Sequence, residues 1–314
     1  MGEMRDVFPV YLLAGFLDSG KTTFINNILR DGFAEEDKTL LISCEEGEEE
    51  YDKRALKNVT VLTVDDPELL SPEFLLFEQK KCGATQIIVE LNGMWNLQDF
   101  YGAMPENWIL YQIVALADAR TFEAYSRNMT AQTMDKLRNA DMIILKHCNE
   151  ELRLALRQRN LRLVNRQADI FLENEDGTSE DYMDGTVSAF DLTAPVIEIK
   201  DEEYGFWFVE IMDNPEMYEG KTVKYKAQML RPPQYGDYFT PGRFAMVCCE
   251  DDMNFLAVAC IGADVSAIPE ASWVEITAVC RTEHFDPYGE DDGPVLHVTG
   301  VVPCEKPEQE MVQM

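Results

Sequence analysis

Between residues 8 and 32 an apolar run, a glycine-bounded loop and an amphipathic stretch follow one another without a break, and few folds accept that order. Phe8 to Ala14 (FPVYLLA) carries no charge, as a strand buried on both faces requires. Gly15-Phe-Leu-Asp-Ser-Gly20-Lys21-Thr22 comes next, and TTFINNILRDGF then has helical spacing, closed at Gly32. This is G-x-x-x-x-G-K-[ST] with a strand before it and a helix after it. The glycines let the backbone curl until successive N–H groups face inward, and the helix N-terminus adds partial positive charge. Such a loop suits a polyphosphate. Gly15, Asp18, Ser19, Gly20, Lys21, Thr22 and Thr23 are therefore candidate ligands of a nucleoside triphosphate. Lys21 is expected to reach the β- and γ-phosphates, and the Thr22 hydroxyl to ligate Mg²⁺.

The same alternation continues down the first half. Thr39 to Ser43, Val59 to Val64, Gln86 to Val89, Ile109 to Leu116 and Met142 to Leu145 read as strands, with helices over Glu73 to Lys81 and 121–139. Strands alternating with helices predict an α/β domain with a mostly parallel sheet and ligands at the strands' carboxyl ends. Glu90 falls at such an end, just past QIIV, where a carboxylate can hold Mg²⁺ or its water. Gly93 would let backbone come close to the γ-phosphate. A domain over residues 1–172 results, followed by an acidic linker at 173–194 and a third segment, 195–314.

Several first-half motifs together resemble the CobW-like metal-insertion GTPases, relatives of HypB and UreG. Gly15-Phe-Leu-Asp-Ser-Gly-Lys-Thr-Thr23 is similar to their G-F-L-x-S-G-K-T-T loop, and Cys44-Glu-Glu-Gly-Glu48 with Asp52 to their N-E-F-G-E…D segment. Glu90-Leu-Asn-Gly93 matches E-x-x-G, Ala117-Asp-Ala119 resembles V-D-A, and Asn165 with Ala168 resembles N-P-x-A. The resemblance spans about residues 8–172. It implies nucleotide hydrolysis coupled to metal homeostasis or to a partner, with Asn149 and Asn165 among the nucleotide-binding residues.

Two departures bear on chemistry. The guanine-reading N-K-x-D stands here as Lys146-His-Cys-Asn149. An Asp accepts two hydrogen bonds from guanine's N1–H and 2-amino group, whereas Asn149 offers one acceptor and a donor. That mismatch is worth on the order of 1–3 kcal/mol, so GTP, ATP or relaxed use all stand open. The family's C-x-C-C metal motif is also absent, leaving Cys44 alone among glutamates. Glu45, Glu48 and Asp52 lie where a switch would sit and are the candidates for positioning the attacking water. Binding without turnover, as a non-hydrolysing adaptor, is the alternative.

Past Pro195 the character changes to short β-rich runs: Val196–Ile199, Phe206–Ile211, Thr222–Ala227, Arg243–Cys248, Phe255–Cys260, Trp273–Val279 and Leu296–Val301. Turn signals separate them, which predicts a small all-β barrel of OB-like type. Such barrels often bind nucleic acid. Here 58 acidic residues face 27 basic ones, a net charge of −31, and phosphate backbones are repelled. In Gly242-Arg-Phe-Ala-Met-Val-Cys248-Cys249-Glu-Asp-Asp252, the thiols Cys248 and Cys249 with Asp252 offer a candidate transition-metal set, Zn²⁺ being one occupant. A metal carrier centred there is a further alternative; buried cysteines acting as small hydrophobes is the plainer reading.

Tyr218-Glu-Gly-Lys-Thr-Val223, the 242–253 stretch and Trp273-Val together resemble an uncharacterised two-cysteine domain that accompanies predicted permeases in bacteria. A permease partner is implied by that resemblance alone. No apolar run approaches the roughly 18 residues of a membrane span. Nor does the start of the chain show a cleavage site, so a cytoplasmic protein without direct membrane insertion is expected.

Overall fold

The computed structural model of the chain describes residues 7–45, 47, 49–158, 161–182, 188, 190–246 and 253–313. Two compact units divide it, Met1–Asp184 and Gly185–Met314.

The first unit runs β1 (Phe8–Ala14), α1 (Lys21–Arg30), β2 (Thr39–Ser43), β3 (Val59–Thr63), α2 (Pro72–Cys82), β4 (Gln86–Glu90) and α3 (Leu97–Ala103). It continues with β5 (Trp108–Asp118), α4 (Ala119–Asn128), α5 (Thr130–Arg138), β6 (Met142–Cys148), α6 (Glu150–Gln158), β7 (Asp169–Asn174) and β8 (Ser179–Asp181). The strands order as β3-β2-β4-β1-β5-β6-β7-β8, parallel except for the last pair. Every residue of β2 and β4 is buried, which is why those runs lack polar–apolar alternation. The order reverses at β1, which lies between β4 and β5. Loops leaving neighbouring strands part there, and a crevice opens at their carboxyl ends.

The acidic stretch expected as a linker from residue 173 is in part ordered sheet. β7 turns at Asp176-Gly177 and returns as β8, with Gly177 at φ +82°. Asp-Gly at a tight hairpin supplies the left-handed residue such a turn needs. An excess of acid had masked a turn signal.

The second unit contains β9 (Ile197–Glu198), α7 (Tyr204–Asp213), β10 (Thr222–Gln228), β11 (Gly242–Met246), β12 (Met253–Ala257) and β13 (Ala259–Ile261), then β14 (Trp273–Glu283), β15 (Gly293–Pro303) and β16 (Val312–Gln313). Its mostly antiparallel sheet follows β12-β11-β10-β14-β15-β13. An isolated bridge from Cys260 to Phe239 ties the β13 edge back toward the segment entering β11, bringing the sheet close to a barrel. The run expected as one strand, Phe255–Cys260, breaks at Val258, and its halves pair with different strands.

Phe206–Ile211, expected as a strand, lies instead in α7. Tyr204, Gly205, Trp207, Phe208, Val209 and Ile211 are all buried, so the run is apolar on most sides and period alone could not separate helix from strand. Asn214-Pro215 ends it, since proline disfavours helical backbone in the residue before it. Arg243, 1% exposed, braces the unit: it donates to the Lys226 carbonyl at 2.8 Å and to Asp201 Oδ1 at 2.5 Å, and stacks near the Tyr204 and Trp273 rings. Cys248, Cys249 and Asp252 lie outside the described residues.

Candidate nucleotide-binding site

The loop after β1 has the backbone its glycines foretold. Gly20, at φ +89°, precedes α1 with no side chain capping the helix, and the first turn of α1 carries no acid. The exposed Asp18 takes φ +61° at the loop apex. A Cβ on Gly15 would stand 2.3 Å from the Leu116 carbonyl oxygen. One on Gly20 would meet Lys146 Cδ at 2.8 Å, because the stem of Lys146 lies across the loop and its ammonium pairs with Glu173 at 3.2 Å. From behind, Phe16 stacks on Tyr125 at 4.2 Å, and Lys136 lies 5.2 Å above the Phe16 ring. Burial lowers the Lys136 pKa.

Lys21 is 3% exposed and points back into the loop. Its ammonium donates to the Gly15 carbonyl at 2.8 Å, the Phe16 carbonyl at 3.0 Å and Glu45 Oε2 at 2.6 Å. Among the described residues, buried Ser19 Oγ has no hydrogen-bond partner. Thr22 donates to Glu90 Oε1 at 2.7 Å, and Tyr51 donates to the other Glu90 oxygen. Thr23 donates to Glu49 Oε2 at 2.5 Å. A cleft of about 330 Å³ opens among the loop, Glu90 and the Lys146–His147 pair.

These features fit a polyphosphate with its metal. An uncapped helix start, an unpartnered buried hydroxyl and a buried ammonium converge on one concavity, and a hydroxyl and a carboxylate sit together beside it. Thr22 and Glu90 are the residues that would hold Mg²⁺.

Other expected residues are engaged elsewhere. Asp52 turns to Arg30 and Arg54, both at 3.3 Å, and hydrogen bonds from the Arg54 amide and guanidinium lower its pKa. Glu48 lies outside the described residues. Asn165 is a bracket: its amide nitrogen donates to the carbonyls of Leu137, Arg138 and Ala140, and its oxygen accepts from Gln167 and Ala168. No atom of it is left for a base. Asn149 Oδ1 accepts the Leu152 N–H at 2.9 Å and so caps α6. Gly93 does bring backbone close, but to the loop: a Cβ there would stand 2.6 Å from Phe16 Cα. Its N–H donates to Glu45 Oε1 at 3.3 Å.

Sequence reasoning passed over Tyr51, a hydroxyl within a glutamate run whose phenol pKa is raised by burial and by Glu90. It also missed His147, at φ +57°, whose Nδ1 lies 3.0 Å from Asp118. Burial, and then Glu90, push the Cys44 thiol up to about 12, so on its own it stays protonated at neutral pH. Among the described residues no three His, Cys, Asp or Glu side chains gather as a metal site.

A family model described as "CobW/HypB/UreG, nucleotide-binding domain" matches residues 9–171, just over half of the chain. The chain belongs to that family. A second model, the DUF1980 C-terminal domain, matches residues 174–313. Among solved structures, the CobW/HypB/UreG-type chain is similar to the hydrogenase maturation factor HypB from Archaeoglobus fulgidus (14% identity, 55% of this chain and 83% of that one, TM-score 0.38). It is also similar to the Zn(II)-bound YjiA GTPase from E. coli (20% identity, 81% of this chain and 88% of that one, TM-score 0.39). No curated protein gives a significant match. Among the described residues no helix is long and apolar enough to cross a membrane.

Proposed function

We propose that the first unit binds a nucleoside triphosphate with Mg²⁺ and hydrolyses it, using the cycle to reposition residues 44–52. The observation that carries this reading is Lys21: a buried ammonium aimed into its own loop, with a carboxylate as third partner where a phosphate oxygen would serve as well. In this reading the loop amides, Lys21 and Thr23 hold the phosphates while Thr22 and Glu90 hold the metal. Bound there, Mg²⁺ supplies charge neutralisation on the phosphate oxygens. Of the two described acids among those offered for water positioning, Glu45 and Asp52, it is Glu45 that lies against both Lys21 and the Gly93 amide, and we assign it that role.

Capping of α6 by Asn149 Oδ1 removes the acceptor that guanine needs, which supports relaxed purine use over strict GTP specificity. The output we propose, control of a permease or of metal supply, rests on the family resemblances of the two halves. Phosphate release by the whole chain and by Lys21→Ala, with GTP and with ATP, is the test. A rate that drops at least tenfold in the variant is expected, and equal rates end the hydrolase reading.

The same Lys21–Glu45 pair also supports a second reading, a nucleotide-binding adaptor without turnover. Tight triphosphate binding with no phosphate release would favour it. A metal carrier at Cys248 and Cys249 is tested by metal content of the Cys248→Ser/Cys249→Ser double variant; content equal to wild type rejects it.

A further inference from the structure

Side chains of the segment after β2 take up hydrogen-bonding groups of the cradle. Glu45 spans Lys21 Nζ at 2.6 Å and the Gly93 N–H at 3.3 Å. Further along the segment, Glu49 takes the Thr23 hydroxyl at 2.5 Å, and Tyr51 occupies the Glu90 oxygen that Thr22 leaves free. Asn26 on α1 pins the end from both sides, donating to the Glu50 carbonyl at 3.1 Å and accepting the Asp52 N–H at 2.8 Å.

We propose that Glu45, Glu49 and Tyr51 form an intramolecular plug, in which the Glu45 carboxylate stands in for the terminal phosphate and Tyr51 closes the metal-binding carboxylate. The proposal rests on the reading of the cradle as a triphosphate site. Counting donors makes plug and ligand mutually exclusive. A lysine ammonium has three N–H bonds, and two of Lys21's are spent on the Gly15 and Phe16 carbonyls. The third serves Glu45 or a phosphate, not both. Glu90 is engaged as well: one oxygen accepts the Thr22 hydroxyl and the other the Tyr51 hydroxyl, so a metal ion seated there would compete with Tyr51 for the second oxygen. Burial explains why a plug exists at all. A cation 3% exposed is costly without an anion beside it, and Glu45 is that anion. Nucleotide therefore binds only to the unplugged fraction, and its apparent affinity falls by that fraction. Release of the plug frees Tyr51, Glu49 and Asp52 together, which makes the segment a reporter of nucleotide state.

The test measures affinity of the full chain for nonhydrolysable GTP and ATP analogues with Mg²⁺. Glu45→Gln and the charge-keeping but shorter Glu45→Asp are each expected to bind roughly 3- to 10-fold tighter than wild type, the plugged fraction being removed. Glu50→Gln removes a solvent-facing charge from the same segment and should stay within about twofold, because such a charge is well screened. Equal or weaker binding by both Glu45 variants overturns the plug, as does a gain in Glu50→Gln matching that of Glu45→Gln. Hydrogen exchange separates this failure from failure of the nucleotide reading. The Asp52 amide should be protected in the nucleotide-free chain, and an unprotected amide overturns the plug whether or not nucleotide binds. Protection at Asp52 with no triphosphate binding in any variant would sink the nucleotide reading while leaving the segment seated as proposed.

Discussion

Lys21 in the first unit and Arg243 in the second are both buried cations, 3% and 1% exposed, and each meets one carboxylate. Their other partners set them apart. Arg243 reaches carbonyls of three separate segments, at Asp201, Lys226 and Gln309, and lies against two aromatic rings, so its fork is spent on holding strands together. Among the described residues Lys21 meets only its own loop and one acid from a neighbouring segment. Guanidinium suits the first task because its planar donors are fixed relative to one another; ammonium suits the second because a point charge accepts one anion in place of another. A buried charge whose partners cannot be exchanged is structural, and one whose partner can be exchanged is a site.

The sharpest way to break this contrast is Arg243→Met. Carbonyls and the Asp201 carboxylate would lose their donor in a packed interior, and the transition that unfolds the second unit should lose about 3–5 kcal/mol. Denaturant unfolding measures it, and triphosphate affinity should be unaffected. A loss below about 1 kcal/mol would mean that the aromatic packing alone carries the brace. Next in size is Gly93→Ala. Its Cβ would stand 2.6 Å from Phe16 Cα and 2.8 Å from the Gly15 oxygen, so backbone must part from backbone at a cost of roughly 1–3 kcal/mol. Because the displaced atoms belong to the loop that aims Lys21, a tenfold or greater loss of triphosphate affinity by calorimetry is expected, with the chain still folded. Unchanged affinity would show that the loop tolerates displacement and that Lys21 is not aimed by it.

How much of this was legible depended on whether a residue's task was local. The phosphate loop, the buried strands and Glu90 at the end of β4 could be read because a short stretch of chain fixes their conformation. Roles set by distant segments could not. Asn165, expected among the nucleotide ligands, brackets three carbonyls from 25 to 28 residues away. Asp52 looked catalytic and is held by two arginines. Tyr51 meets a glutamate 39 positions on, and α7 hid its period because nearly all of its surface is buried. The Arg243 of the G-R-F-A-M stretch stood beside two conspicuous thiols, and only the fold revealed that it braces the unit.

Asn149 tests whether an eroded motif still sits at a site. Aspartate there could keep the cap on α6 through one oxygen while offering a second acceptor. Asn149→Asp should therefore raise the preference for GTP over ATP about tenfold, in line with one regained hydrogen bond. Competition between labelled nucleotides measures the ratio. No change would place the base away from residue 149.

The smallest effect expected concerns a pair that neither braces nor binds. Asp118 caps α4 through the Arg120 N–H at 2.9 Å and pairs with the Arg120 guanidinium at 2.5 Å, with His147 at 3.0 Å. Burial raises its pKa, but the Arg120 hydrogen bonds and charge outweigh that, and the net shift is downward. A carboxyl whose folded pKa lies below its unfolded value binds fewer protons when folded. Its contribution to stability is thus complete above the unfolded value, about 4, and is lost as pH falls through the folded one. Asp118→Asn keeps the capping oxygen and removes the charge. Because the Arg120 side chain is 57% exposed, screening should hold the difference from wild type below about 1 kcal/mol at pH 7. That difference should fade between about pH 5 and pH 2 in denaturant titrations, as wild type becomes neutral at this position too. A difference that persists undiminished at pH 2 would mean that the amide disturbs the cap itself, and that Asp118 belongs with Arg243 among the groups whose partners cannot be exchanged.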